Sequence, residues 1–259
     1  MTSFLALHHT GTPLLLPNAW DHASAAALTA QGFPAVGTSS LAVAAGAGLP
    51  DGTAVTREET LRLTRQLGNR GFLLSVDAEG GFSDDPAKVA ELAALLAAAG
   101  ASGINLEDGR GDGTLTPAPV HAAKIAAVKA AVPHLFVNAR TDTHWLNIRQ
   151  DETAARLDTY SRAGADGVFV PGLSDPTAIT TLVKSLDLPL NILYSPSGPS
   201  VAELGALGVQ RVSLGSLLYR AALSAALDTA IAIRSGRSVT SSITTYTDVQ
   251  DLSHGGHRT

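Results

Sequence analysis

The chain has 259 residues, 45% of them hydrophobic, with 18 Lys and Arg against 23 Asp and Glu and a formal net charge of −5. The negative balance and the lack of any basic run argue against nucleic acid and anionic membrane surfaces as partners, and the absence of cysteine excludes disulfides, thiolate zinc sites and thiol catalysis. No charged-then-apolar leader opens the chain and no apolar run nears the roughly 18–20 residues of a membrane span, so a soluble, cytoplasmic protein is expected.

In chain order, short apolar strands alternate with helical patterns. Strands are predicted at 14–18, 34–39, 72–77, 102–107, 135–140, 167–171, 190–194 and 210–215. Helices are predicted at 21–31, 56–69, 86–99, 119–131, 152–163, 176–185, 200–207 and 216–234. Asp85-Pro86 and Asp175-Pro176 each offer a capping side chain followed by a first-turn proline. Gly32, Gly100, Gly164 and Gly208 stand where helices stop. LAAAGASGINL, YSRAGADGVFV and LGALGVQRVSL repeat one half-unit: helix end, glycine, buried strand. Eight strand–helix units predict an α/β fold, a (β/α)8 TIM-type barrel closed so that no sheet edge is exposed. One barrel domain over 1–234 is expected, followed by a polar, partly ordered tail at 235–259.

Barrel chemistry collects at the C-terminal ends of strands. Three such ends carry charge: VDAEGG brings Asp77 and Glu79, NLEDG brings Glu107 and Asp108, and NARTD brings Arg140. Carboxylates at a strand terminus are costly without a cation or basic partner. Asp77, Glu79 and Glu107 together form a hard-oxygen set suited to Mg2+ or Mn2+, with water completing the octahedron. The alternative for each acid alone is a helix cap, or a pair with Arg140 or a lysine. Arg140 reads as a bidentate partner for a substrate carboxylate or a developing oxyanion; an ion pair with Glu107 or Asp108 is the other reading, and the two are compatible.

Thr38-Ser39-Ser40 precedes a small-residue loop ending at Asp51, where hydroxyls and N–H groups could grip an anionic oxygen; a flexible Gly/Ala loop is the plainer reading. Histidines give no metal-ligand spacing: His8 and His9 sit near a terminus, where exposure is expected, and His121 falls early in a helix. GxSxG, P-loop and dinucleotide GxGxxG patterns are absent.

With these residues in place, the sequence resembles the isocitrate lyase/phosphoenolpyruvate mutase superfamily from NAWDHASA (18–25) to LGSLLYRAAL (214–223). The resemblance is carried, in order, by GTSSLAVAAGAGLPDG, SVDAEGGF, GINLEDG, NARTD and GADGVFVPG. Glu79 replaces the second Asp of the commoner DAD pattern and keeps a carboxylate there. The resemblance implies a barrel that binds Mg2+ and a small oxo- or hydroxy-carboxylate. It implies Asp51, Asp77, Glu79 and Glu107 around the metal, directly or through water. Substrate would meet Ser39, Ser40, Leu41, Arg140 and, at a distal carboxylate, Asn191. It also implies a homodimer or homotetramer exchanging the helix at 216–234.

One departure matters. The KKCGH-type loop that supplies a catalytic cysteine is replaced by the short GRGDGTLTPAPVHAAK (109–124). Candidate catalytic groups are therefore Arg140, Asp51 and His121, with the proton coming from water, His121, Thr114 or Thr116. The expected activity is a Mg2+-dependent lyase cleaving a C–C bond through an enolate-like state. Phosphonopyruvate mutase or hydrolase chemistry at the P–C bond, and a non-catalytic carboxylate-binding barrel, stay open as alternatives.

Overall fold

Alternation within the strands sets the architecture. In β3 (Leu73–Asp77), β4 (Gly103–Glu107) and β5 (Phe136–Arg140) every second residue is apolar: Leu74 and Val76, Ile104 and Leu106, Val137 and Ala139. These residues, at most 1% exposed, pack outward against Val89, Leu92 and Leu96 of α4 (Pro86–Ala98) and Ile125 and Val128 of α5 (Ala118–Ala131). Burial of each such side chain contributes about 1.5–3 kcal/mol. The intervening positions, Ser75 and Asp77, Asn105 and Glu107, Asn138 and Arg140, are left for the barrel interior.

The computed structural model describes residues 3–239 and 242–253. Besides the elements above it contains β1 (Leu14–Leu16), β2 (Ala35–Gly37), β6 (Gly167–Phe169), β7 (Leu190–Leu193) and β8 (Arg211–Ser213). The other helices are α1 (His22–Ala30), α2 (Ser40–Ala47), α3 (Arg57–Leu67), α6 (Thr153–Arg162), α7 (Pro176–Ser185), α8 (Val201–Ala206), α9 (Leu217–Arg234) and α10 (Tyr246–Leu252). All strand pairs are parallel, in the order β1-β8-β7-β6-β5-β4-β3-β2. A single Asn18–Gly37 bridge brings β1 to β2 and closes the ring. Gly37 is needed there, since a Cβ would stand 2.8 Å from Asn18 Nδ2. The (β/α)8 barrel expected from the sequence is therefore the observed fold.

The expected helix starts are also present: Asp85 accepts from the Ala87 N–H at 3.0 Å and Asp175 from the Ala178 N–H at 2.7 Å. Two expectations fail. The small-residue stretch after β2 is not a loop but α2, since alanine is the best helix former, and it ends at Gly48 with φ 69°. His8 is not exposed. A 3-10 turn (Leu5–His9) plugs the bottom of the barrel, stacking His8 on Phe136 at 4.5 Å with Phe4 edge-on at 5.3 Å.

Within the expected polar tail, α10 is capped by Thr245 and Asp248, and its Leu252 carbonyl lies 3.3 Å from His22 Nε2; residues 254–259 lie outside the described residues. No described helix is long and apolar enough to cross a membrane.

Candidate active site at the barrel mouth

A cavity of about 470 Å3 opens at the C-terminal ends of the strands. Asp77, at the end of β3, is fixed from two sides. Its own N–H donates to Thr38 Oγ1 at 2.9 Å, and its Oδ2 accepts from the Ser40 N–H at 3.1 Å. Its Oδ1 is buried and has no hydrogen-bond partner among the described residues. A buried carboxylate oxygen in that state costs about 1–3 kcal/mol or more unless something binds it.

Arg140, at the end of β5, carries the opposite charge. Its Nη1 lies 2.7 Å from Glu107 Oε2, and its Nε and Nη2 donate to Asp142 at 2.6 and 3.1 Å. Burial alone would lower the Arg140 pKa, but Glu107 and Asp142 outweigh it and raise it, so the guanidinium stays charged. Burial pushes Glu107 well above the usual carboxylate range and Asp142 above it too, with Arg140 opposing in both. Arg140 uses at most three of its five N–H donors on protein. Two remain for a ligand. Gly109 makes room for this group: a Cβ there would stand 2.1 Å from Asp142 Oδ2.

Of the candidate residues named from the sequence, Ser39, Ser40, Leu41, Asp51, Asp77, Glu107 and Arg140 line the cavity. Burial raises the Asp51 pKa, and a bond from the Ser40 hydroxyl opposes the shift. Ser39 sits at the N-cap of α2, so the first-turn N–H groups of that helix open toward the cavity.

Six other expected residues lie elsewhere. Glu79 adopts a left-handed backbone (φ 47°) that turns its side chain to the Thr56 hydroxyl and, at 3.2 Å, the Ala54 N–H. It lines a second cavity of about 560 Å3 beyond the loop after β4. Burial raises its pKa, and Thr56 opposes. Asn191 is one layer too deep and bonds Ser213 Oγ at 2.9 Å inside the barrel. His121 lines neither cavity; it faces the core of α5, edge-on to Tyr160 at 4.7 Å. Thr114 and Thr116 also lie off the main cavity. Asp108, expected among its walls, is instead buried against α6, accepting from Tyr160 at 2.6 Å, Thr141 at 2.8 Å and Arg156 at 3.2 Å.

The expected three-carboxylate metal centre is not assembled: no cluster of three or more His, Asp or Glu among the described residues could itself hold an ion. The donor set nevertheless fits a hard divalent cation. Asp77 Oδ1 is a free, buried anionic oxygen beside Asp51, and Mg2+ takes one or two carboxylates and fills its other positions with water or ligand.

Residues that sequence reasoning missed complete the site. Trp145, Phe169 and Leu193 give the cavity an apolar side; Arg110 and Arg220 add cations at its rim. Beneath it Arg211, 1% exposed, donates only to neutral groups: Ser213 Oγ at 3.1 Å, and Ser75 Oγ and Asn105 Oδ1 at 3.3 Å. Burial pushes its pKa down to about 9, with the Asp77 charge opposing. The one signal for Arg211 was its two-residue spacing from Ser213 on β8.

Fold and site together define a (β/α)8 barrel whose strand ends gather acids around Arg140. The family model for phosphoenolpyruvate phosphomutase matches residues 4–234, and this chain belongs to that family, within the isocitrate lyase/phosphoenolpyruvate mutase superfamily of C–C and P–C lyases and mutases. An uncharacterized protein of Mycobacterium tuberculosis is 44% identical over 250 residues, spanning 96% of this chain and 95% of the relative. An oxaloacetate decarboxylase of Ectopseudomonas mendocina is 30% identical over 194 residues, 70% of this chain and 66% of the relative. A crystal structure of phosphonopyruvate hydrolase in complex with oxalate and Mg2+ matches with a TM-score of 0.84 at 25% identity, over 96% of this chain and 93% of that one.

Proposed function

We propose that this protein is a Mg2+-dependent lyase that cleaves a C–C bond beside a carboxylate in a small oxo- or hydroxy-acid. The observation that carries the reading is the partnerless Asp77 Oδ1, buried at the mouth two strands from Arg140. Asp77 would hold the ion, with Asp51 near it and Glu107 acting through water; when bound, the ion would supply Lewis-acid polarisation of a ligand oxygen.

The chain's own groups do the rest. Two free N–H donors of Arg140 face the negative charge that builds on the substrate oxygen as the neighbouring bond breaks, in a setting where preorganised donors are worth most. The first turn of α2 offers its Leu41 N–H to the substrate carboxylate, the Ser40 N–H being committed to Asp77. Glu107 and Asp142 fix the guanidinium plane, so the charge it offers is already in position. With His121, Thr114 and Thr116 off the cavity, water entering the open mouth returns the proton.

The test is a product assay on oxaloacetate, related hydroxy-diacids and phosphonopyruvate with Mg2+. The reading expects a C–C cleavage product that disappears when EDTA is added. Phosphate or phosphoenolpyruvate from phosphonopyruvate would instead establish P–C chemistry, the reading that the matching family model favours. Mg2+-dependent oxalate binding without any product would leave a binding barrel.

The same reading extends to assembly. Helix α9 buries none of its residues and exposes Leu223, Leu227 and Ile231 at four-residue spacing. An exposed apolar stripe of this kind marks an interface, and it supports an exchanged helix in a homodimer or homotetramer.

A further inference from the structure

Asn18, just beyond β1, brings an unfilled acceptor to the main cavity. It is 6% exposed and lines that cavity. Its Nδ2 donates to the Thr38 carbonyl at 2.6 Å. A carbonyl can only accept, so the amide cannot be turned the other way round, and Oδ1 faces away from Thr38. That Oδ1 is buried and has no hydrogen-bond partner among the described residues. Buried side-chain oxygens are nearly always bonded, and one left bare costs about 1–3 kcal/mol.

Backbone pairing holds the side chain in this pose. Where β1 meets β2, the Gly37 N–H donates to the Pro17 carbonyl and the Ala19 N–H to the Gly37 carbonyl, both at 2.8 Å. Gly37 presents no Cβ to push the amide aside; one would stand 2.8 Å from Nδ2. Thr38 then links Asn18 to Asp77. Its carbonyl accepts from Asn18, and its Oγ1 accepts from the Asp77 N–H at 2.9 Å. Two partnerless buried oxygens, Asn18 Oδ1 and Asp77 Oδ1, therefore belong to side chains joined through Thr38 in one wall of the cavity. They differ in kind. The Asp77 oxygen is anionic and suits a cation, whereas the amide oxygen is neutral and suits a hydrogen-bond donor.

Small oxo- and hydroxy-acids offer few such donors. Carboxylate and oxo oxygens only accept; a hydroxyl on the carbon beside the carboxylate donates. We propose that Asn18 is a specificity-determining residue whose Oδ1 accepts a hydrogen bond from the hydroxyl of a 2-hydroxy acid, so that the hydroxy-acid is bound in preference to the matching oxo-acid. The inference rests on the lyase reading above and narrows its substrate class. An oxo-acid in the same place would turn an acceptor toward an acceptor and leave the amide oxygen bare, the circumstance in which a polar site discriminates most strongly.

The test pairs ligands that differ only at that carbon: both enantiomers of lactate against pyruvate, and both enantiomers of malate against oxaloacetate. Oxalate, a dianion with no hydrogen to donate, is the reference. Affinities are measured with Mg2+ by calorimetry in competition with oxalate, or as KM where a ligand is turned over, on the wild type and on Asn18→Leu. A crystal structure of the wild type with the favoured hydroxy-acid locates its hydroxyl.

The wild type is expected to favour one enantiomer of at least one hydroxy-acid over its oxo partner by about tenfold or more, the cost of leaving a buried acceptor unpaired. Asn18→Leu, close to the amide in size but without an acceptor, should cut that preference to about twofold or less while binding oxalate no more weakly. In the crystal the hydroxyl oxygen should lie within about 3.2 Å of Oδ1. A wild type that binds both members of each pair alike, a preference that survives Asn18→Leu, an equal loss for oxalate, or a water alone on Oδ1 with the hydroxyl elsewhere would each overturn the assignment. The wild-type preference and the crystal structure decide it even if Asn18→Leu fails to fold. Failure of the wild type to bind oxalate with Mg2+ would be a different result, removing the lyase reading and this inference with it.

Discussion

Arg140 shows how one residue ties stability to chemistry at this site. Truncating it to alanine would leave Glu107 and Asp142 as buried, unpaired carboxylates, a change that typically costs about 3–5 kcal/mol. Burial already raises the pKa of both acids, and without Arg140 nothing opposes the shift. Their folded pKa values would then exceed the unfolded ones, so the folded state binds more protons and stability falls as pH rises. Arg140→Ala should therefore lose more thermal stability relative to wild type at pH 8 than at pH 5; an equal loss at both would refute the pairing. The charged strand ends Asp77, Glu107 and Arg140 were legible from sequence because an apolar strand can only deliver such groups to the barrel mouth. Glu79, Asn191 and His121 were not. A left-handed backbone at Glu79, one layer of depth at Asn191 and the facing of α5 at His121 are set by tertiary geometry that no local pattern encodes.

Helices and loops tell a similar story one level up. Their order and caps follow from Asp-Pro and glycine signals, but their partners do not. Helix α2 was hidden because its run of small residues, SLAVAAGA, carries no polar face to set a period. Helix α9 was placed correctly, yet its Leu223, Leu227 and Ile231 stripe has no cover within the described chain. If that stripe is an interface, light scattering should give a dimer or tetramer for the wild type and a smaller species for Leu227→Glu. A wild-type monomer at tens of micromolar would contradict it. The loop after β4 is short and pinned: Arg110 and Lys124 both reach Asp84, at 2.8 and 3.2 Å, and a Gly109–Leu115 bridge closes its base. Replacing Asp84 by Ala should free this loop with little effect on the fold, because the Arg110 pair is at the surface and worth about 0–1 kcal/mol, while the buried Lys124 keeps its bond to the Gly80 carbonyl at 3.0 Å; faster proteolysis within 109–116 would report it, and unchanged proteolysis would count against the pinning.

The molecule as a whole is legible from the alternation of strand and helix, which leaves closure as the way to cover every edge. What the sequence did not reveal is how much of the interior is polar. A floor of Phe4, Leu14, Leu16 and Phe136 lies under a layer of Ser75, Asn105, Asn138, Asn191, Arg211 and Ser213, with the charged groups above. Buried histidines complete this picture and make acid stability predictable. Burial lowers His121 from an ordinary 6.5 to about 4, with Asp108 opposing and Lys124 and Arg156 reinforcing; His8 falls to about 3, again chiefly through burial. Both folded values lie below the unfolded one, so the contribution is complete above pH 6.5 and is lost as pH falls toward 4, by about 3 kcal/mol for His121. His121→Phe should flatten the decline in melting temperature across that window; an unchanged slope would show that other groups govern it.

The central claim is that Asp77 carries a free oxygen in order to seat a divalent ion beside Arg140. It is tested most directly by calorimetric titration of oxalate into wild type and Asp77→Asn, each with and without Mg2+. The account predicts tight binding by the wild type only when Mg2+ is present, and a loss of about a hundredfold or more in Asp77→Asn with the fold intact by circular dichroism, in line with the loss of a metal's anionic ligand. Oxalate binding that is indifferent to Mg2+, or equally strong in Asp77→Asn, would contradict it.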